Sequence, residues 1–280
     1  MQNTLTRKIS KEESDRYLTI LESRGYKITY NPGQYILWRA QGEGLTISFY
    51  TSGSFVSQGS TDMSFLEIPS ANSKTFKSHA GSDEVGKGDY FGPLVVCGVY
   101  LEDDSILNLG IADSKKITDK KILSIYSKIK DSVKYSVRIV YPEIYNSELK
   151  NYVNVSYFLA SLHAQVAGEL LNKYSLPKID YVVDQFSLNK GRLVNAFKGL
   201  NINLIQFHKG ESDLAVACAS VIARATFLIE MDKMGEKYGT IFPKGATDVI
   251  NFGRDFVSKY GSDELKNVAK ISFRTTSSIL

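Results

Sequence analysis

Ala80-Gly81-Ser82-Asp83-Glu84-Val85-Gly86-Lys87-Gly88-Asp89-Tyr90-Phe91-Gly92-Pro93 runs directly into Leu94-Val95-Val96-Cys97-Gly98-Val99-Tyr100-Leu101. Two adjacent carboxylates enter a turn that carries Gly86, Gly88, Gly92 and Pro93. Glycine permits positive φ and close approach of the backbone to a ligand, and the proline fixes the exit. The β-branched run after it reads as a buried strand. Asp83 and Glu84 are thereby placed at a strand-to-turn junction, on a rigid frame. A surface acidic pair in a hairpin turn is the alternative reading of this stretch taken alone.

Downstream, strands and helices alternate. Asp119 to Ile129 is a lysine-dotted amphipathic helix, and Val133 to Val140 an alternating strand. Helices follow at Pro142–Lys150 and Val155–Tyr174, then a short buried strand, Ile179 to Asp184, ending in a carboxylate. A helix around Leu188–Phe197, a strand Ile202–Phe207, a helix Leu214–Met231 and a helical segment Phe256–Ala269 complete the chain. A hairpin followed by such alternation predicts an α/β arrangement, a mixed sheet covered by helices.

Upstream, Ser10 to Arg24 reads as a helix: Ser10 caps it, Glu13 completes a capping box, and Gly25 ends it. Short alternating segments follow, separated by turn signals at Asn31-Pro32-Gly33, at Gln41-Gly42-Glu43-Gly44 and at Thr51-Ser52-Gly53-Ser54. One helix and an antiparallel meander make a small α+β unit over residues 1–65. Residues 66–78 read as a linker, and 79–280 as the larger domain.

The 280 residues carry a net charge of +4. Residues 1–70 contain equal numbers of acidic and basic side chains, so the excess lies on the remainder; it is too small to establish a nucleic-acid partner. Two cysteines, Cys97 and Cys218, exclude a disulfide scaffold and read as buried free thiols. No Cys or His spacing suits zinc. The charged N-terminus is not a signal peptide, and no apolar stretch is expected to reach membrane-span length. A cytoplasmic, monomeric protein without a membrane partner is the expectation.

Asp83, Glu84 and Asp184 end apolar strands, and Glu211 precedes a helix. In open α/β sheets such positions converge on a crevice. Four carboxylates without a compensating Arg or Lys repel one another; divalent cations relieve this, and hard oxygen ligands suit Mg²⁺ or Mn²⁺. Two such ions support phosphodiester cleavage. Taken singly, Asp184 reads better as a cap and Glu211 as a solvated charge near Asp213. His79, His163 and His208 form no triad, and His163 reads as a core or surface residue of its helix.

The motifs resemble those of type 2 ribonucleases H. Asp83-Glu84-Val85-Gly86-Lys87-Gly88 with Gly92-Pro93-Leu94 is similar to the family signature, Asp113-Ser114-Lys115-Lys116 to its D-S-K-K segment, and Lys209-Gly210-Glu211 with Ala219-Ser220-Val221-Ile222-Ala223-Arg224 to its third region. The Gly-Lys-Gly turn, Glu as the fourth acid and the small N-terminal unit, similar to a TATA-binding-protein-like domain, resemble the ribonuclease HIII branch. The resemblance implies a ribonuclease H-like fold and a Mg²⁺- or Mn²⁺-dependent endonuclease that cuts the RNA strand of RNA/DNA hybrids, leaving 5′-phosphates. It further implies metal-binding and catalytic acids at Asp83, Glu84, Asp184 and Glu211. Substrate contacts are implied at Gly86, Lys87, Gly88, Ser114 and Lys115, and hybrid binding by the N-terminal domain. Tyr35, Trp38, Phe49 and Tyr50 serve either that binding or the domain's core. The spacer after Glu211 is one departure from the family, and it leaves Asp213 as the alternative fourth acid.

Overall fold

The computed structural model describes residues 3–59, 76–106, 111, 118–184, 191–207, 213–246 and 249–280. The chain divides into two compact units, residues 1–75 and 76–280. In the first, helix α1 (Lys11–Ser23) lies with a five-stranded antiparallel sheet of order β1-β5-β4-β3-β2. These strands are β1 (Asn3–Lys8), β2 (Lys27–Gly33), β3 (Ile36–Gly42), β4 (Leu45–Tyr50) and β5 (Ser54–Gly59). The capping box is present: Ser10 Oγ accepts from the Glu13 amide at 3.1 Å and Glu13 Oε2 from the Ser10 amide at 2.8 Å.

Three features of this unit differ from the sequence reading. β1 was not expected, yet it pairs along the whole of β5. The first turn falls at Gln34-Tyr35, because β2 continues through Asn31 and Pro32 by way of a bulge. Proline is tolerated there because β2 is an edge strand. The second turn tightens to Glu43-Gly44, both at positive φ, as a two-residue hairpin requires. Trp38 and Phe49 belong to the core, and Trp38 Nε1 donates to Ser14 Oγ at 2.8 Å. Tyr35 is exposed and Tyr50 half-buried.

The second unit is built on a mixed sheet of order β10-β9-β6-β7-β8. β6 (His79–Val85) and β7 (Leu94–Leu101) form the expected hairpin, and β8 (Lys134–Val140) extends it antiparallel. β9 (Ile179–Asp184) and β10 (Ile202–Phe207) run parallel to β6. α4 (Val155–Tyr174) and α6 (Leu214–Tyr238) pack on the sheet, with α2 (Asp119–Ile129) against α6. α3 (Pro142–Glu148), α5 (Gly191–Ala196), α7 (Ile250–Tyr260), α8 (Ser262–Val268) and α9 (Thr276–Ile279) complete the unit. All of β7 is buried, and each large apolar side chain so placed contributes roughly 1.5–3 kcal/mol. That burial makes the hairpin a stiff support for the carboxylates at its end.

The expected helix at 256–269 is two helices, broken at Gly261, whose φ is +89°. α6 is two turns longer than expected. By length and composition it could cross a membrane, contrary to the expectation from sequence; 72% of its apolar window is buried inside the protein, as befits a core helix. Of the expected linker, residues 66–75 lie outside the described residues. Residues 76–78 belong with the second unit, where Lys77 Nζ donates to Asp180 Oδ2 at 2.6 Å.

Candidate active site

Successive side chains of a strand point to opposite faces. Along β6, Gly81 packs against Val216 of α6, and Asp83 accepts a hydrogen bond from Ser220 of the same helix. Ser82 and Glu84 face the other way, towards α4. On the neighbouring parallel strand, Ser82 stands opposite Val183. Asp83 and Asp184 are the next residues along these two strands, and adjacent strands lie about 4.8 Å apart. Asp184 is in turn opposite Phe207, the last residue of β10. The ends of two neighbouring strands, β6 and β9, thus carry Asp83, Glu84 and Asp184 at one end of the sheet.

Asp83 is poorly solvated. Burial raises its carboxyl, and the adjoining Glu84 adds to the rise, to about 6, despite the hydrogen bond from Ser220. Glu84 moves the other way. Burial would raise it too, but His163 and then Lys87 outweigh that and hold it below the ordinary carboxylate range. His163 Nε2 lies 3.2 Å from Glu84 Oε2 and Lys87 Nζ 3.3 Å from Glu84 Oε1. His163 is fully buried, and Ser82 Oγ is 2.7 Å from its Nδ1. With Nε2 donating to the carboxylate, a neutral ring leaves Nδ1 to accept from the Ser82 hydroxyl. The expectation that no Lys compensates the acids therefore needs correction, since Lys87 does so in part. Sequence reasoning also missed what His163 touches. The available signal was a polar residue on the buried face of an otherwise apolar helix.

The turn after β6 has the conformation its glycines suggest. Gly86 is at φ +93°, and a Cβ there would lie 2.1 Å from the Pro93 carbonyl oxygen. Gly88, by contrast, has no heavy atom within 4 Å of the position a Cβ would take, and Lys87 and Gly88 are exposed. Glu211, Ser114 and Lys115 lie outside the described residues. Asp213 is described: its Oδ1 accepts from the amides of Ala215 and Val216 at 3.0 and 3.1 Å, capping α6, and its Oδ2 is 2.9 Å from His79 Nε2. Among the described residues, no three acid, histidine or cysteine side chains converge as a ready metal site. The described acids nevertheless fit a divalent cation. They offer hard carboxylate oxygens, and burial together with the adjoining Glu84 disfavours the Asp83 carboxylate, the charge a bound cation would stabilise.

Comparison with known proteins shows the family. The family model for ribonuclease HII matches residues 80–276. The chain is 32% identical to ribonuclease HIII of Protochlamydia amoebophila, over 95% of this chain and 93% of that protein. It is 32% identical to ribonuclease HIII of Chlamydia felis, over 92% and 91%. In fold it is similar to Bst-RNase HIII in complex with Mn²⁺, at a TM-score of 0.67 with 24% identity, over 99% of this chain and 98% of that one. It is also similar to Aquifex aeolicus RNase H3, at 0.59 with 26% identity, over 96% and 100%. The mixed sheet with flanking helices is the ribonuclease H-like sheet, preceded by an N-terminal antiparallel unit as in the ribonuclease HIII structures. The chain belongs to the type 2 ribonuclease H family, in its ribonuclease HIII branch.

Proposed function

We propose that this chain cleaves the RNA strand of RNA/DNA hybrids by two-metal-ion hydrolysis, with Asp83, Glu84, Asp184 and Glu211 as the metal-binding and catalytic acids. Family membership supports the activity. The observation that supports the assignment is the parallel pairing of β6 with β9 up to Ser82 and Val183, the residues immediately before Asp83 and Asp184, together with an Asp83 carboxyl raised to about 6 by burial and by Glu84. Bound at these acids, Mg²⁺ or Mn²⁺ would activate the attacking water and stabilise the leaving oxygen of the scissile phosphodiester. The chain's own groups prepare the site. His163 and Lys87 keep Glu84 ionised, and Ser220 fixes the Asp83 carboxylate on the α6 side.

Glu211 is preferred to Asp213 as the fourth acid. Both Asp213 oxygens are already engaged, by the α6 cap and by His79, which leaves it a structural role. The Gly86-Lys87-Gly88 turn would meet the RNA backbone and 2′-hydroxyls, the feature that separates RNA from DNA, and its openness at Gly88 suits that contact. Ser114 and Lys115 would add phosphate contacts. In the N-terminal substrate-binding domain, 1–65, the sheet face away from α1 carries Arg39, whose Nε donates to Ser48 Oγ at 3.1 Å, and polar strand residues suited to a nucleic-acid backbone. Residues 66–75 would link it to the catalytic domain, 76–280. Cys97 and Cys218 are buried free thiols, which supports a cytoplasmic setting. A monomer suffices for this reading.

A labelled uniform RNA/DNA hybrid and a DNA duplex with one ribonucleotide test the substrate. Metal-dependent cutting of the hybrid, with the single ribonucleotide spared, is expected. Cutting at the lone ribonucleotide would move the chain towards ribonuclease HII-like specificity. Tight hybrid binding without cutting would make it a hybrid-binding protein.

A further inference from the structure

Lys270 is fully buried, a rare state for a lysine. Its Nζ makes no ion pair among the described residues. It donates instead to two main-chain carbonyls of the turn after β6, those of Asp89 at 2.8 Å and Gly92 at 2.6 Å, and stands 5.9 Å above the Tyr145 ring. Burial draws its pKa down to about 7.

The same turn is clasped along its length by two distant segments. The Gly92 amide donates to the Val268 carbonyl at 2.9 Å and the Lys270 amide to the Tyr90 carbonyl at 2.9 Å, with Phe91 bridged to Ala269 between them. From the other side, Asp89 Oδ1 accepts from the Gly245 amide at 2.7 Å, and the Tyr90 amide donates to the Gly245 carbonyl at 2.8 Å. Residues 89–92 are thereby fixed, and the exposed Lys87 and Gly88 stand at the head of the clasped segment.

An apolar side chain would fill the Lys270 site without the cost of desolvating an ammonium, if filling space were all the site required. What it would not do is pair the two inward carbonyls. Gly92 itself takes φ +82°, a conformation and closeness to Met231 that a Cβ would not allow.

We infer that Lys270 is a positioning residue for the nucleic-acid substrate: through the Asp89 and Gly92 carbonyls it sets the Gly86-Lys87-Gly88 turn in the conformation that meets the RNA strand. The inference rests on the reading that this turn contacts RNA.

The test uses the full chain with Lys270→Met, which removes every donor, and Lys270→Gln, which keeps an amide donor. Two quantities are read on samples whose circular dichroism matches the wild type: the rate of native-state trypsin cleavage after Lys87, followed by mass, and KM and kcat on the uniform hybrid. For Lys270→Met, cleavage after Lys87 and KM should each rise about tenfold, with kcat moving no more than about twofold, as expected when binding rather than the chemical step is lost. Lys270→Gln should fall between it and the wild type. Wild-type rates of cleavage after Lys87 in both variants would overturn the inference. So would failure of both to fold, which would make Lys270 a requirement of the fold. Faster cleavage with an unchanged KM would also overturn it. Protection of Lys87 from trypsin by hybrid, in wild type with chelator, tests the underlying contact separately.

Discussion

Replacing Asp83 by Asn should stabilise the metal-free protein while destroying its activity. The Asp83 carboxyl stands at about 6 in the folded chain against an ordinary 3.8. Between roughly pH 4 and pH 6 the folded state therefore holds a proton that the unfolded state has released, and stability falls as pH rises through that window. Above it the deficit is constant. A difference of about two units, at about 1.4 kcal/mol each, sets an upper bound of about 3 kcal/mol at pH 7.5. Asn keeps an acceptor for Ser220 and carries no charge, so Asp83→Asn should recover about 1–3 kcal/mol there and nothing below pH 4. Urea unfolding in chelator, followed by far-ultraviolet circular dichroism, measures this. Tryptophan fluorescence would not serve, because the single tryptophan, Trp38, lies in the N-terminal unit. Added Mg²⁺ or Mn²⁺ should stabilise the wild type and narrow the gap. A variant no more stable than wild type at pH 7.5, or a gap that widens as pH falls, would refute the reasoning.

Two further comparisons separate structural from substrate roles. Gly86→Ala meets both a positive φ and the Pro93 carbonyl, so it should cost at least about 2 kcal/mol in thermal or urea unfolding. Gly88→Ala should fold as the wild type does but bind hybrid more weakly, in a filter-binding or polarisation assay, because its Cβ projects into open space. At the fourth acid, Glu211→Gln should abolish cleavage with stability unchanged. Asp213→Ala should lower stability by about 1–2 kcal/mol through loss of the cap while retaining cleavage. The opposite pattern would transfer the role to Asp213.

What the sequence made legible were features with local causes. The Ser10 capping box, the bounds of α4 and the carboxylate end of β9 all follow from neighbouring residues, and the structure places them where the pattern does. The hairpin that carries Asp83 and Glu84 is readable because its glycines, its proline and its β-branched strand agree. β1 escaped because six mostly polar residues acquire strand structure only by pairing with β5, about fifty residues on. The bulge at Asn31-Pro32 escaped because a turn and an edge-strand irregularity use the same residues. The roles of His163 and Lys270 were hidden for a stronger reason. The partners that give them meaning, Ser82 and Asp89, are 81 and 181 residues away in sequence. A buried polar group reveals its purpose only when the groups that satisfy it are known.

The most direct measurement is cleavage of a labelled uniform RNA/DNA hybrid by the wild type and by Asp83→Asn, with hybrid affinity determined on the same preparations. The wild type should cut the RNA strand with Mg²⁺ or Mn²⁺ and stop in chelator, while Asp83→Asn should bind the hybrid to within about threefold, a difference under 1 kcal/mol, and leave it intact. Cutting that survives in chelator, or in Asp83→Asn at the wild-type rate, would contradict the assignment of catalysis to these carboxylates.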